Sequence, residues 1–228
     1  MGEIILENIQ NNYKYILSKI NEIHKVSPFS KYKLPKLVAI SKKQEEYKID
    51  MVLACGQKVF GENRVQEAIN RWQKRLERYK DLELRLVGPL QTNKVKQSLN
   101  LFDVIETIDR EKIATEIAKN FHNKPKTKRF YIQVNTGNEP QKSGINPLDA
   151  DSFIKYCIKD LTLPIVGLMC IPPISEEPSM HFLLLQKIAH RNDLTELSMG
   201  MSSDFEDAIK FGATSVRIGS LLFGERQD

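Results

Sequence analysis

The order of predicted elements limits the fold of this chain most, because strands and helices alternate eight times behind one leading helix. Apolar residues at helical spacing predict the leading helix between Glu3 and Lys25. The eight apolar runs predicted as strands are 37–41, 58–61, 84–87, 104–107, 130–135, 165–169, 196–198 and 214–218. Strands joined by helices run parallel, so the pattern predicts an α/β fold, a (β/α)₈ TIM barrel with an extra N-terminal helix.

An open, doubly wound parallel sheet is the alternative that the same alternation allows. The version of that fold that binds dinucleotides has a glycine-rich turn after its first strand, whereas Lys42 and Lys43 follow the first strand here. The length of 228 residues suits one barrel, which needs roughly 200–250 residues. No linker, repeat or low-complexity stretch divides the sequence, so we expect one domain over residues 1–228.

Composition and charge argue against several classes of partner. The net charge of +5 is spread over predicted helix faces, and no basic motif interleaved with aromatic residues predicts nucleic-acid binding. No apolar run reaches the roughly 18 residues that cross a bilayer, and the N-terminal region is charged, unlike a signal peptide. The cysteines and histidines form no metal-ligand pattern. We expect a cytoplasmic protein without a metal, nucleic-acid or membrane site, and a monomer is the starting hypothesis.

Residues that suit a binding site cluster at the predicted C-terminal ends of the strands, which form the active face of such barrels. Lys42 directly follows the first strand, and Asn63 follows the second. The loop 198–203 after the seventh strand and the segment 217–220 at the end of the eighth are rich in glycine and serine. Loops at these two places often hold phosphate, because small residues let backbone N–H groups approach an anion. A capping box predicts that the next helix begins at Ser203.

Closure of the barrel would bring Lys42 next to this predicted anion site, since strands one and eight become neighbours. A lysine amine condenses with an aldehyde only when it is neutral, so burial or a nearby positive charge such as Arg217 must lower its pKa. Pyridoxal 5′-phosphate (PLP) offers both an aldehyde and a phosphate, and an arginine at its ring nitrogen would keep that nitrogen unprotonated. Taken alone, Lys42 could be an ordinary solvent-facing lysine and Arg217 could belong to a buried ion pair.

The sequence resembles the pyridoxal phosphate homeostasis protein family, whose members look like the N-terminal barrel of alanine racemase without its C-terminal β domain. The segments that carry the resemblance are LVAISK (37–42), FGENRVQE (60–67), LVGPLQTNK (86–94), QVNTGNEPQKSG (133–144), GLMCIPP (167–173), LSMGMSSDFEDAI (197–209) and VRIGSLLFG (216–224). The resemblance implies that Lys42 is the Schiff-base lysine, that Arg217 faces the pyridine nitrogen and that Asn63 lines the ring side of the pocket. It also implies that the segments holding the phosphate include Ser198, Gly200, Ser202, Gly219 and Ser220.

Some positions depart from the pattern expected of that family. Arg64 stands where a tyrosine is common, and Arg85 and Leu86 stand where a histidine and an aromatic residue often precede the glycine. The stretch 173–197 is short for the family. None of these positions lies in the Lys42 segment or in the phosphate segments, so they bear on the pocket rim and on partner surfaces.

The favoured functional hypothesis is a non-enzymatic carrier or buffer of PLP in vitamin B6 homeostasis, which passes the cofactor to PLP-dependent apoenzymes. Its support is the arginine at the ring nitrogen and the expected single domain. By comparison with alanine racemase, the second acid–base residue belongs to the domain that the family lacks. The alternatives are an amino-acid racemase-like PLP enzyme and an interaction module that keeps the barrel without the cofactor. Conversion of L-amino acids to D-enantiomers would identify the first, and a protein that stays colourless with PLP would identify the second.

Overall fold

The structure, a computed structural model, describes residues 2–121 and 125–225, and its centre is a closed barrel of eight parallel strands in sequential order. The strands are β1 (Lys36–Ile40), β2 (Val59–Glu62), β3 (Glu83–Leu86), β4 (Val104–Ile108), β5 (Arg129–Gln133), β6 (Ile165–Met169), β7 (Glu196–Ser198) and β8 (Ser215–Ile218). This architecture confirms the predicted (β/α)₈ barrel. The bounds of β6 and β7 match the prediction, and those of the other strands differ from it by one or two residues.

Helices surround the barrel, and one precedes the first strand as predicted. Within the described residues the helices are α1 (Gly2–Val26), α2 (Glu46–Ala54), α3 (Val65–Arg78), α4 (Val95–Leu101), α5 (Glu111–Phe121), α6 (Ala150–Lys155), α7 (Pro178–Arg191), α8 (Phe205–Lys210) and α9 (Ser220–Phe223). Helix α1 packs against α2, α8 and α9, so it covers the side on which the barrel closes. No helix in the described part of the chain is long and apolar enough to span a bilayer.

The main apolar core lies between the outer face of the barrel and the helices. Side chains alternate along each strand, so one set turns outward and meets the apolar stripe of the covering helices. Phe60 on β2 packs in this way against Trp72 on α3, with ring centroids 4.7 Å apart and both side chains fully buried. Burial of a side chain such as Phe60 stabilises the fold by roughly 1.5–3 kcal/mol.

The interior of the barrel holds a small apolar cluster and a set of buried polar side chains. Val104, Tyr131 and Met169 form the apolar cluster. Near it, the Arg85 guanidinium donates to the Glu106 carboxylate at 2.8 Å, and both residues are buried. Burial lowers the pKa of Arg85, but the charges of neighbouring acidic groups, Glu106 first, outweigh it and raise that pKa above its ordinary value. The centre of the barrel therefore contains a buried ion pair, and each partner offsets the lost hydration of the other.

The barrel closes where β1 pairs with β8, which are the first and last strands of the chain. Ala39 on β1 pairs with Ile218, the last residue of β8. The residues that follow these two strands therefore leave the barrel side by side. This register brings Lys42 next to the segment that begins at Gly219.

Helix α8 begins later than the capping box predicts. Its first residue is Phe205, its N-cap is Asp204, and Ser203 lies outside the helix. The Asp204 carboxylate forms no cap bond with the helix and instead accepts a hydrogen bond from the backbone N–H of Met201. The predicted helix start at Ser203 is therefore wrong, because the loop after β7 closes on itself before the helix begins.

Strand β5 ends at Gln133, which is two residues before its predicted end. Val134 forms an isolated bridge with Ile145, and the N–H of Asn135 donates to the carbonyl of Ile145 at 2.9 Å. The following loop thus pairs with one edge of this segment, while on the other edge the N–H of Val134 still donates to the carbonyl of Met169 at 2.8 Å. Apolar alternation cannot reveal this end, because the alternation continues while the partner changes.

Candidate functional site

Lys42 lies just after β1, at the C-terminal end of the barrel. Ile40 points inward, since a side chain added at Gly61 on the next strand would meet Ile40 Cδ1 at 2.6 Å. Ser41 faces outward and donates its hydroxyl to Glu62 at 2.7 Å. Lys42 lies in the turn that comes directly after Ser41. Its side chain is half-buried at the C-terminal mouth of the barrel.

The loops after β7 and β8 meet at this mouth and contain most of the predicted phosphate residues. The Ser202 hydroxyl accepts a hydrogen bond from the backbone N–H of Leu221 at 3.4 Å, which connects the two loops. Gly219 is half-buried at the end of β8, and Ser220 is exposed at the start of α9. The structure therefore brings together the two segments that sequence analysis assigned to phosphate, at the same end of the barrel as the lysine.

Gly200 is the one residue in the loop after β7 whose backbone requires glycine. Its φ of +92° lies in the left-handed region that other residues rarely adopt. A Cβ atom there would lie 2.6 Å from Cβ of Ala208 and 2.9 Å from Cα of Phe205, both on α8. The absence of a side chain thus lets the loop pass directly over the helix and turn toward the mouth.

Replacement of Gly200 by alanine is expected to lower the free energy of unfolding by about 1–3 kcal/mol from backbone strain, with a further loss from the contacts with α8. Urea unfolding followed by Trp72 fluorescence measures this change. Gly224→Ala is the matched control, because Gly224 has a similar φ of +85° but nothing lies within 4 Å of its added Cβ. Equal losses in the two variants would show that packing against α8 does not matter.

Arg217 is buried inside the barrel, with an exposed fraction of 4%. Its Nη1 donates to the Ser198 hydroxyl at 2.8 Å, and its Nη2 donates to the carbonyl of Cys170 at 2.7 Å. Within residues 2–121 and 125–225 it forms no ion pair with a carboxylate, so the alternative of a buried ion pair is not supported. A guanidinium has five N–H donors, which leaves donors for a ligand.

Ser198 connects Arg217 to the ion pair at the centre of the barrel. Its fully buried hydroxyl accepts from Arg217 and donates to Glu106 at 2.6 Å. This hydroxyl therefore orients Arg217, and a contact of Ser198 with phosphate stays a prediction. Sequence analysis did not point to Glu106, and the expectation that Arg85 bears on the pocket rim is wrong, because Arg85 is buried inside the barrel against Glu106. A signal was present, since Glu106 is a charged residue in the middle of the apolar strand β4.

Asn63 follows β2 and carries a buried acceptor. Its Oδ1 accepts no hydrogen bond from any residue that the structure describes. A Cβ atom at Gly88 would lie 2.2 Å from the Asn63 carbonyl oxygen, so the glycine lets the ends of β2 and β3 approach closely. An unsatisfied buried acceptor costs roughly 1–3 kcal/mol, and a ligand donor at this place would remove that cost.

Two ionisable side chains near Arg217 have raised pKa values. Burial raises the pKa of the Cys170 thiol to about 12, so the thiol stays neutral. Burial also raises the pKa of Asp204 above its ordinary value, although the N–H of Met201 and the charge of Arg217 act in the other direction. Burial thus opposes the ionisation of both groups, while Arg217 contributes a fixed positive charge to this region.

A cavity of about 300 Å³ lies at the same end of the barrel, across the mouth from the junction of β1 and β8. Its walls come from the ends of β3, β5 and β6 and from the loop after β5, and include Gln133, Asn135, Lys142 and Ile171. The Gln133 side-chain amide donates to the carbonyl of Ser143 at 2.9 Å and so holds this loop in place. The volume suits a small molecule.

A closed parallel barrel with a lysine after β1 and glycine- and serine-rich loops after β7 and β8 places this chain in the class of alanine racemase N-terminal barrels. The family model "Alanine racemase, N-terminal domain" matches residues 4–227. The chain also superposes on alanine racemase from Bartonella henselae with a TM-score of 0.72 at 13% identity. That match covers 98% of this chain and 61% of the racemase, and it shows a shared fold.

More similar relatives identify the family within this class. The pyridoxal phosphate homeostasis protein of Aquifex aeolicus is 40% identical over 203 residues, which are 84% of this chain and 87% of the relative. The human protein of that name is 35% identical over 212 residues, 84% of this chain and 77% of the relative. PipY of Synechococcus elongatus, solved with PLP bound, is 32% identical with a TM-score of 0.74, and the match covers 91% of this chain and 99% of PipY. This chain belongs to the pyridoxal phosphate homeostasis protein family, which confirms the resemblance.

Proposed function

We propose that this chain binds PLP covalently through Lys42 and takes part in PLP homeostasis as a carrier or buffer. The observation that carries the proposal is the junction of β1 with β8, which gathers Lys42, Arg217 and the two glycine- and serine-rich loops at one mouth. The solved PipY structure with PLP bound and the shared family support the same ligand.

The residues at the mouth fit this ligand in two ways. No described residue donates a hydrogen bond to the buried acceptor of Asn63, and Arg217 has N–H donors to spare. In the proposal Lys42 holds the aldehyde carbon, Arg217 donates to the ring nitrogen and Asn63 borders the ring. The residues that would hold the phosphate are Gly200, Ser202, Gly219 and Ser220, with Ser198 in the same segment.

Lys42 forms its bond by condensation. Its neutral amine and the aldehyde join through a C=N bond with release of one water, and hydrolysis reverses the step. When bound, PLP supplies a ring that can withdraw electrons from the attached carbon. Arg217 limits this withdrawal, because a permanently protonated donor keeps the ring nitrogen unprotonated. Reversible attachment without strong electron withdrawal suits a carrier better than a catalyst.

We further infer a cytoplasmic monomer of one domain, from which PLP-dependent apoenzymes receive the cofactor. The half-buried Lys42 and the exposed Ser220 support the transfer, because water or an incoming amine can reach the bond from the mouth. Incubation of the loaded protein with an apoenzyme should restore the activity of that enzyme. Failure to restore it under conditions in which free PLP does so would contradict the carrier role.

An absorption spectrum of the purified protein, taken with PLP before and after borohydride reduction, tests the binding proposal directly. We expect an imine absorption band that reduction removes, and peptide mapping should then find the reduced adduct on Lys42. A protein that stays colourless with added PLP would support the hypothesis of a barrel that lacks the cofactor. An adduct on another lysine would reject Lys42 as the attachment site.

Replacement of Ser220 by alanine is expected to weaken PLP binding by about 1 kcal/mol, the net value of one hydrogen bond. A titration of the imine absorption measures the dissociation constant. Ser179→Ala, in the first turn of α7 and outside the phosphate segments, is the control and should leave the constant unchanged. If Ser220→Ala behaves like the control, Ser220 does not contact the phosphate.

An amino-acid racemase-like enzyme is the second candidate, favoured by the cavity at the end of β5 and β6. Its volume of about 300 Å³ would admit an amino acid, and Lys142 at its edge is a basic residue. Incubation of the loaded protein with a panel of L-amino acids tests this function. Substantial formation of D-enantiomers would replace the carrier proposal, and their absence would support it.

A further inference from the structure

The guanidinium of Arg71, on α3, spans the loop that carries Lys42. Its Nη1 donates to the carbonyl of Ser41 at 2.8 Å, and its Nη2 donates to the carbonyl of Gln44 at 3.1 Å. These two carbonyls lie immediately before and after the pair Lys42 and Lys43. One side chain therefore holds both ends of the loop.

Arg71 is itself fixed by acidic side chains on two sides. Its Nη1 also donates to the fully buried Glu62 carboxylate at 3.0 Å, and its Nε donates to Glu46 at 2.9 Å. The same oxygen of Glu62 accepts from the Ser41 hydroxyl at 2.7 Å and from the Trp72 indole at 3.0 Å. A planar guanidinium with this many charge-assisted bonds has little freedom to rotate, so the loop is attached to a rigid point on α3.

The loop has a backbone conformation that needs such support. Lys43 has a φ of +58°, in the left-handed region that residues other than glycine rarely adopt. Unfavourable backbone of this kind persists where the surrounding structure holds it in place. The N–H of Gln44 donates to the carbonyl of Ser41 at 3.1 Å, and this turn bond shares its acceptor with Arg71.

We propose that Arg71 is a positioning residue for Lys42, which fixes the lysine loop so that the amine meets the aldehyde of bound PLP. This inference rests on the proposed function. Arg71 touches neither the aldehyde nor the phosphate segments and acts through the carbonyls of Ser41 and Gln44. Its removal should therefore weaken the covalent step and leave the hold on the phosphate and the ring unchanged.

Arg75 provides a matched control one helical turn further along α3. The two arginine side chains have the same exposed fraction of 14%, and both pair with Glu46 on α2. Arg75 also binds Asp50 and the carbonyl of Glu46, which lie within α2. Within α3, Arg75 also donates to the carbonyl of Arg71 at 2.9 Å. Its ion pairs join α3 to α2, whereas the hydrogen bonds of Arg71 also reach the lysine loop.

The experiment compares Arg71→Met and Arg71→Lys with Arg75→Met in the full chain. For each variant, one titration follows imine formation with PLP, and a second measures binding of pyridoxine 5′-phosphate, which has the ring and the phosphate but no aldehyde. Thermal unfolding measures stability. We expect both Arg71 variants to weaken imine formation by about tenfold, the effect of one hydrogen bond to a charged group. Lysine should not rescue the function, because it cannot bind two carbonyls as a planar fork.

Selective loss in the Arg71 variants, with pyridoxine 5′-phosphate binding kept and Arg75→Met close to wild type, would support the inference. Equal losses in the Arg71 and Arg75 variants, or equal weakening of both ligands, would overturn it in favour of a general contribution to stability. If Arg71→Met does not fold, the inference is tested with Arg71→Lys, whose imine formation and pyridoxine 5′-phosphate binding are compared with those of Arg75→Met. A wild-type protein that forms no imine would instead reject the proposed function and this inference with it.

Discussion

Replacement of Lys42 by alanine is expected to abolish the imine absorption of the protein with PLP while the barrel stays folded. The covalent bond needs an amine at the mouth, and alanine supplies none. The fold should survive, because Lys42 is half-buried at a strand end and lies outside the apolar core. Absorption spectroscopy measures the first effect, and circular dichroism with thermal unfolding measures the second.

Two comparisons make the Lys42→Ala result specific. Lys43→Ala, which removes the neighbouring exposed lysine, should keep the absorption band. Pyridoxine 5′-phosphate should still bind to Lys42→Ala, because the phosphate segments and Arg217 are intact. An absorption band that persists in Lys42→Ala would mean that another lysine, such as Lys43 or Lys94, reacts with the aldehyde.

Replacement of Arg85 by methionine is expected to destabilise the barrel by about 3–5 kcal/mol, because it leaves the buried Glu106 carboxylate without its positive partner. Arg85 and Glu106 are 1% and 0% exposed, so water cannot replace the lost contact. Arg85 also pairs at 2.6 Å with Glu83, the first residue of β3, at the N-terminal end of the barrel strands. Urea unfolding followed by Trp72 fluorescence measures the loss of free energy.

The double variant Arg85→Met with Glu106→Gln tests the reason for that loss. Glutamine removes the buried negative charge and keeps a group that can accept from Ser198, so the double variant should recover part of the stability. Additive losses in the two single variants would contradict the ion-pair explanation. A loss below about 1 kcal/mol in Arg85→Met, the median worth of an exposed pair, would contradict it too.

The fold could be predicted from the sequence because short apolar runs alternate with segments of helical spacing. The predicted bounds of β6 and β7 match those of the structure. The errors arose where local patterns compete with contacts made after folding. The capping box predicted that α8 begins at Ser203, but Asp204 bonds the N–H of Met201 and the helix begins at Phe205. Strand β5 ends two residues before its predicted end, where Val134 forms a bridge with Ile145.

The candidate site was predictable where residues lie at strand ends, and less so where they lie inside the barrel. The proximity of Lys42 to the segments after β7 and β8 follows from strand order, because a closed barrel fixes which strand ends are neighbours. Their roles toward a ligand stay a prediction. The connection from Arg217 through Ser198 to Glu106 joins three different strands. Register and strand tilt decide which inward side chains meet across a barrel. Neither can be predicted from a single sequence.

The pairing of β1 with β8 has a consequence for stability if the proposed binding mode is correct. Lys42 follows the first strand, whereas Arg217 lies in the eighth, so one bound molecule would contact segments that are far apart in the sequence. Such a ligand binds only the closed barrel, and mass action then makes separation of these two strands less favourable as the ligand concentration rises.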